Sequence, residues 1–343
     1  MEKINVLVTS VGGFSHGSSI VTALQKSFLP FNIVGTDMSP RLINSSPLKQ
    51  KEVIPAACAA DFIDNFIKLI KKYSIDCIFT GSEQELLKVS ECSDEIEANK
   101  VKIFLNSKNV IATCKNKLKC NQTLSSLGFD VPQTILVKNA EDCERINFFP
   151  AIIKPYLITG ASANVFLADD KEELRLIITY LLNKQIDIVV QEYLPYDQNE
   201  YTVGVTSLLE EPRVVSSIAL RKFIEGPTAY IKRKSSVISS GITQGEFKDY
   251  SNIRKTCEKI AEKLESRGPM NIQLREIKGK VMPFEINPRF SGTTSARAMN
   301  GYNEPEYYIR RYIMHDPKAA DSLVNANRGF VVKSLNEQYF KYD

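Results

Sequence analysis

Two kinds of apolar segment alternate through the first hundred or so residues, and this alternation predicts an α/β fold that opens on a doubly wound parallel sheet. Ile4 to Thr9, Asn32 to Thr36, Asp76 to Thr80 and Val101 to Leu105 read as strands, whereas Ile20 to Lys26, Phe62 to Lys72 and Gln84 to Ile96 space their apolar residues as helices do. Gly12, Gly13 and Gly17 follow the first strand and Asp37 closes the second, as in a strand-to-helix turn at a dinucleotide site. Their spacing is not GxGxxG, so a nicotinamide site is the lesser reading. Beyond about residue 186 the pattern changes to antiparallel strands around a helix from Tyr250 to Glu265, with closing helices near Glu304 to Ile313.

A chain of 343 residues with 43% apolar content is long enough for two or three compact units. Its net charge of +4, from 44 basic and 40 acidic residues, is small and dispersed, so nucleic acid is not an expected partner. The run Lys232, Arg233, Lys234 fits a solvated loop or a flap that brings cations to an anionic ligand. Seven cysteines show no CxxC pair, and His16 and His315 are the only histidines. Zinc-type clusters and histidine triads therefore have no visible basis. With no signal core and no membrane-length apolar run, a cytoplasmic protein with reduced thiols and no membrane partner is the expectation.

The densest chemistry lies between Asn271 and Arg289. Gln273 precedes Glu285 by a spacing that suits a hairpin, with Lys278 and Gly279 at its turn. Alternation along an extended strand puts Glu285, Asn287 and Arg289 on one face. Glu285 and Asn287 offer hard oxygens suited to magnesium, and Arg289 adds a guanidinium that can hold a phosphoryl or carboxylate group. An ordinary edge strand with solvated charges accommodates the same residues, although Pro288 and the small residues Ser291 to Thr294 continue such a strand poorly.

This segment resembles the metal-binding strand of the ATP-grasp superfamily, closest to carbamoyl phosphate synthase large-chain halves and the stand-alone carboxylate-amine ligases related to them. The resemblance implies three regions: an N-terminal Rossmann-like domain over residues 1–112, a small ATP-grasp lobe over 113–185 and a C-terminal lobe over 186–343. The last two form a two-lobed α+β ATP-grasp domain. Upstream residues fit the family's order along about half the chain. Lys154 ends an apolar strand that leads into the small-residue loop containing Gly160 and Ser162, as a phosphate-binding lysine and loop would, or equally as a surface turn. Gln191 to Leu194 resembles the adenine hinge, so Glu192, Tyr193 and Leu194 are expected to bind the purine and Glu200 a ribose or neighbouring cation. Lys117 is chosen over Lys115 and Lys119 as a further phosphate contact opening a helix.

These positions imply an ATP-dependent ligase. Gln273, Glu285 and Asn287 would hold one or two Mg2+ ions, with Mn2+ as a substitute. Lys154 and Arg289 would stabilise charge as a small-molecule carboxylate is phosphorylated, and an amine would then displace phosphate. Glu83, in the block Thr80 to Glu85, could touch an acceptor substrate, while Ser82 as a helix cap explains the same residues. A carboxylate or carbamate kinase, like half of a carbamoyl phosphate synthase large chain, is one rival, and a non-catalytic ATP-binding module is another. Related ligases are often homodimers, but no amphipathic stripe marks an interface, so the oligomeric state stays open.

Overall fold

The computed structural model describes residues 3–157, 164–233, 236–324 and 329–333. The chain divides into two compact units, Met1–Leu105 with Phe290–Asp343 and Asn106–Arg289. The first begins β1 (Ile4–Val8), α1 (His16–Gln25), β2 (Phe31–Asp37), β3 (Gln50–Val53), α2 (Phe62–Lys72), β4 (Cys77–Phe79), α3 (Glu83–Glu91), α4 (Ser93–Glu97) and β5 (Lys102–Ile103). Its sheet runs β3-β2-β1-β4-β5, all parallel, so the strand order reverses beside β1. The strand β3 escapes the sequence reading because Gln50, Lys51 and Glu52 make a polar edge strand with no apolar signal. Val34, Leu7 and Ile78 pack against Phe62, Phe66 and Ile70 of α2 in one buried cluster.

The glycines near β1 serve packing. A Cβ at Gly17 or Gly81 would lie 2.0 or 1.9 Å from the Thr9 carbonyl oxygen, so only glycine permits these close approaches. Asp37 is also spent locally, accepting from the Gly12 and Ser39 backbone N–H groups at 2.9 Å each. Ser82 caps α3 as expected, and Glu83 is buried. Its neighbour Glu85 is the carboxylate that Thr9, Ser10 and Ser82 hydroxyls hold, at 2.6, 2.6 and 2.8 Å.

The second unit contains α5 (Lys108–Lys115), α6 (Lys117–Ser126), β6 (Thr134–Val137), β7 (Ala151–Pro155), β8 (Phe166–Ala168), α7 (Lys171–Asn183) and β9 (Ile188–Glu192). It continues with β10 (Glu200–Ser207), β11 (Val214–Lys222), β12 (Ala229–Lys232), β13 (Val237–Ser239), β14 (Gly245–Phe247), α8 (Ser251–Lys263), β15 (Pro269–Ile277) and β16 (Lys280–Asn287). A four-stranded antiparallel sheet, β6-β9-β7-β8, is covered by α7, whose Leu174, Ile178 and Leu181 join Ile153, Ile188 and Val190 in the core. The smaller lobe therefore runs past residue 185, because β9 pairs with both β6 and β7.

A larger antiparallel sheet in this unit runs β16-β15-β10-β11-β14. Its two faces differ. Tyr201, Val203, Val205, Ile272, Leu274 and Ile286 pack with Ile253, Cys257 and Ile260 of α8. The alternate positions carry Glu200, Thr202, Asn271, Gln273, Arg275, Glu285 and Asn287, which the strand register places across from one another on the opposite face. The polar face is buried too: Glu200, Asn271, Arg275 and Asn287 are 5% exposed or less.

The chain then returns to the first unit with α9 (Thr294–Met299) and α10 (Glu304–Tyr312). This corrects the expectation that residues 186–343 form one lobe. The cause is aromatic: Phe290 meets Phe79 at 5.4 Å between ring centroids, and Tyr308 meets Phe104 at 5.5 Å. Among the described residues, no helix is long and apolar enough to cross a membrane.

Candidate functional site

Lys117, Lys154, Gln273, Glu285, Asn287 and Arg289, singled out in the sequence, all lie in the second unit. Asn116 caps α6 by accepting from Lys119 N–H, so Lys117 stands at the helix start as expected. Its ammonium donates to the Pro155 and Leu157 carbonyls at 3.0 and 2.9 Å, which fixes it beside the exit of β7. Lys154, near the end of β7, is buried and donates to Gln191 Oε1 at 2.7 Å and to the Phe284 carbonyl at 3.1 Å. The Gln191 amide nitrogen is held in turn by Thr134 Oγ1 at 2.8 Å.

The Phe284 carbonyl is free to accept because of a bulge. Gln273 pairs with Glu285 and Leu274 with Pro283, so Phe284 is the extra residue between them. The bulge therefore brings the Lys154 ammonium next to Glu285. Burial pushes the Lys154 ammonium down to about 8 and the Lys117 charge adds to this, while Glu285 pulls it back up.

Gln273 Nε2 donates to Glu285 Oε2 at 3.0 Å across the hairpin. Asn271 pairs with Asn287 one step further along, and Thr202 Oγ1 fixes the Asn271 amide by donating to its Oδ1 at 2.8 Å. Asn287 is 1% exposed, and its Oδ1 has no hydrogen-bond partner among the described residues. An enclosed carbonyl oxygen left unmatched costs about 1–3 kcal/mol, which a bound cation or donor would recover. That orphaned oxygen, with the Glu285 carboxylate and an amide at Gln273 that can turn its oxygen inward, fits a hard divalent cation. Groups of three or more His, Cys, Asp or Glu are absent among the described residues, so any cation here depends on amide oxygens.

Strand β16 stops at Asn287, and Arg289 N–H donates back to the Asn287 carbonyl at 2.8 Å. The alternation argument therefore covers Glu285 and Asn287 but stops short of Arg289, whose side chain is buried beyond a turn. A small recess beside them is lined by Lys117, Cys114, Cys120, Gln191, Phe284 and Glu285 among others.

The hinge follows β9. The Glu192 and Tyr193 N–H groups are used by the Gln133 and Pro150 carbonyls at 2.8 and 3.2 Å, and Glu192 Oε2 accepts from Gln133 N–H at 3.2 Å. Leu194 N–H has no partner among the described residues. Glu200, expected near a ribose, is 1% exposed and already paired with Lys222 at 2.9 Å, Arg275 at 2.8 Å and Ser239 Oγ at 2.6 Å. Burial alone would raise its carboxyl, but the Lys222 and Arg275 charges outweigh this and hold it at about 2. Gly160 and Ser162 lie outside the described residues. In the basic run, Arg233 is committed to Asp169 and Glu173, both at 2.7 Å, and Lys234 lies outside the described residues.

Sequence reasoning missed Gln191 as the partner of Lys154, the Phe284 bulge, and the Lys222, Ser239 and Arg275 network.

Residues 184–338 match a family described as "ATP-grasp in the biosynthetic pathway with Ter operon", and residues 114–222 match the RimK-like ATP-grasp domain. The carbamoyl phosphate synthase large chain of Synechocystis sp. is 27% identical over 198 residues, which is 56% of this chain and 18% of that protein. The chain spans less than a fifth of the length of the curated relatives it matches first. Among solved structures, the L-amino acid ligase from Bacillus licheniformis aligns over 91% of this chain and 74% of its own, with 15% identity and TM-score 0.65. N5-carboxyaminoimidazole synthetase from Staphylococcus aureus complexed with ADP aligns over 94% and 79%, with 13% identity and TM-score 0.66. Two segments of the chain thus match ATP-grasp models, and the chain has the mixed α/β fold of these neighbours.

Proposed function

We propose that the protein is an ATP- and magnesium-dependent ligase that activates a carboxylate as an acyl phosphate and couples it to an amine. The observation that carries this reading is the meeting of the Lys154 ammonium with the Phe284 bulge beside Glu285, one register step from the unmatched Asn287 oxygen. A cation held beside a carboxylate and an unmatched amide oxygen suits the outer phosphates of a nucleotide. The hinge supports the same reading, since the unpartnered Leu194 N–H can donate to a purine edge. Similarity to an L-amino acid ligase and to an ADP-complexed synthetase adds weight.

In this mechanism Lys117 and Lys154 bind and neutralise the phosphates, and burial of Lys154 sharpens its effect by excluding water. Gln273, Glu285 and Asn287 would hold magnesium, which supplies further charge neutralisation on the outer phosphates when bound. A carboxylate oxygen of the substrate attacks the terminal phosphorus, the bond to the bridging oxygen breaks, and ADP leaves. Arg289 steadies the carboxylate and the charge that builds during transfer. The amine nitrogen then adds to the acyl carbon, and collapse of the tetrahedral intermediate expels phosphate and leaves the amide after loss of a proton.

An ADP-release screen over carboxylates and amines with magnesium tests the proposal, with hydroxylamine as a trap for acyl phosphate. Carboxylate-dependent ADP release with an amide product is expected. Hydroxamate and ADP without any amide would instead identify a carboxylate or carbamate kinase. Nucleotide binding with no stimulated release by any carboxylate would reduce the protein to a binding module.

A further inference from the structure

One row of polar side chains crosses the smaller sheet on the face turned away from α7. Val137, Ile153, Ile188 and Val190 pack with α7, so alternation places Thr134, Gln191 and Lys154 on the other face. Thr134 of β6 lies across from Gln191 of β9, which lies across from Ile152 of β7, two residues before Lys154. Hydrogen bonds run along this row in one direction. Lys154 Nζ donates to Gln191 Oε1 at 2.7 Å, Gln191 Nε2 donates to Thr134 Oγ1 at 2.8 Å, and Thr134 Oγ1 donates to the Pro132 carbonyl at 3.1 Å. An ammonium can only donate, so the amide oxygen of Gln191 faces Lys154 and its nitrogen faces Thr134.

The Lys154 ammonium has three N–H groups set at tetrahedral angles. Gln191 takes one, the Phe284 carbonyl takes a second at 3.1 Å, and the third has no acceptor among the described residues. Two fixed directions determine the third. Both acceptors are also uncharged. A carboxylate in place of the Gln191 amide would hold the ammonium equally well but would cancel the charge that draws an anion, whereas an apolar side chain would leave the ammonium free to swing.

We infer that Gln191, held by Thr134, is a positioning residue that aims the third Lys154 N–H at a phosphate oxygen of the nucleotide while leaving the lysine charge uncancelled. It acts through the lysine, and its role rests on the nucleotide reading given above.

The test compares ADP with adenosine, which carries no phosphate, on the full chain with a chelator present so that no divalent cation bridges ligand and protein. Calorimetry gives the ADP affinity, and a ligand-observed NMR titration reaches the weaker adenosine affinity. The proteins are the parent, Gln191→Met, Thr134→Val and Thr134→Ser, each with a thermal melt. Methionine keeps the length of glutamine without its acceptor, and valine keeps the shape of threonine without its hydroxyl. Gln191→Met is expected to weaken ADP about tenfold and to leave adenosine unchanged, because one hydrogen bond to a charged group is lost and the hinge is not. Thr134→Val should weaken ADP in the same sense, and Thr134→Ser should bind it as the parent does. A folded Gln191→Met that keeps the parent's ADP affinity, or that loses adenosine as much as ADP, overturns the proposal. Equal ADP affinity for the two Thr134 variants overturns it too, and these variants decide where Gln191→Met does not melt cooperatively. Loss of cooperative melting in both Gln191→Met and Thr134→Val assigns the row to folding and overturns its positioning role. A parent that binds ADP no more tightly than adenosine overturns the nucleotide reading itself.

Discussion

Lys154 shows how packing sets chemistry at a single residue. The same burial that lets its ammonium meet Gln191 and the Phe284 carbonyl also lowers its affinity for a proton, to about 8 from the ordinary lysine range near 10.5. For folding, the charged form is the disfavoured one, so this group's contribution to stability improves as pH rises from about 8 to 10.5. Phosphate binding has the opposite sign, since it needs the ammonium. ADP affinity should be flat below about pH 8 and weaken roughly tenfold per unit above it. The substitution Lys154→Arg should flatten the profile. Calorimetric titrations from pH 7 to 9.5 check this, and a parent profile as flat as the variant's would remove Lys154 from the phosphate site. The sequence named Lys154 from its place before a loop of small residues. It could not name Gln191 or Phe284 as its partners, because a sequence-distant acceptor and a one-residue bulge leave no periodic trace.

At the scale of elements, the larger antiparallel sheet has two buried faces built on different principles. Its apolar face packs on α8, and the hairpin that pairs Gln273 with Glu285 was legible from their spacing. Its polar face was read as a site because of Glu285 and Asn287, but the ion network at the other end was not anticipated. Glu200 there is stabilised by Lys222 and Arg275, and Glu200→Gln would strand two buried cations. That substitution should cost about 3–5 kcal/mol and lower the melting midpoint clearly. The control Glu144→Gln, whose ion pairs with Lys171 and Arg175 are exposed, should leave the midpoint in place. The parent should also lose stability as pH falls through the window from 4.5 to about 2, because the folded carboxyl there holds its charge where the unfolded one does not. Equal midpoints for Glu200→Gln and the control would show that the network contributes little.

For the whole molecule, the parallel sheet at the start and the antiparallel sheets that follow were both predicted by a change in apolar period. The way the chain is shared between units was not. Residues from Phe290 onward return to the first unit through Phe79, Phe104 and Tyr308, and aromatic residues far apart in sequence do not announce that they will meet. The glycines after β1 suggested a dinucleotide turn, yet Gly17 and Gly81 are needed where backbone crowds the Thr9 carbonyl. What the sequence carried best was the order of chemically distinctive residues, and what it carried least was the contact that gives each its environment.

The central claim is that Glu285 and Asn287 hold a divalent cation with a nucleotide. Mn2+ binding followed by electron paramagnetic resonance, with and without ATP, measures this directly on the parent, Glu285→Ala and Asn287→Ala. ATP-dependent Mn2+ uptake by the parent, weakened about tenfold or more in both variants, is the predicted result. Uptake of equal strength in all three proteins would contradict it.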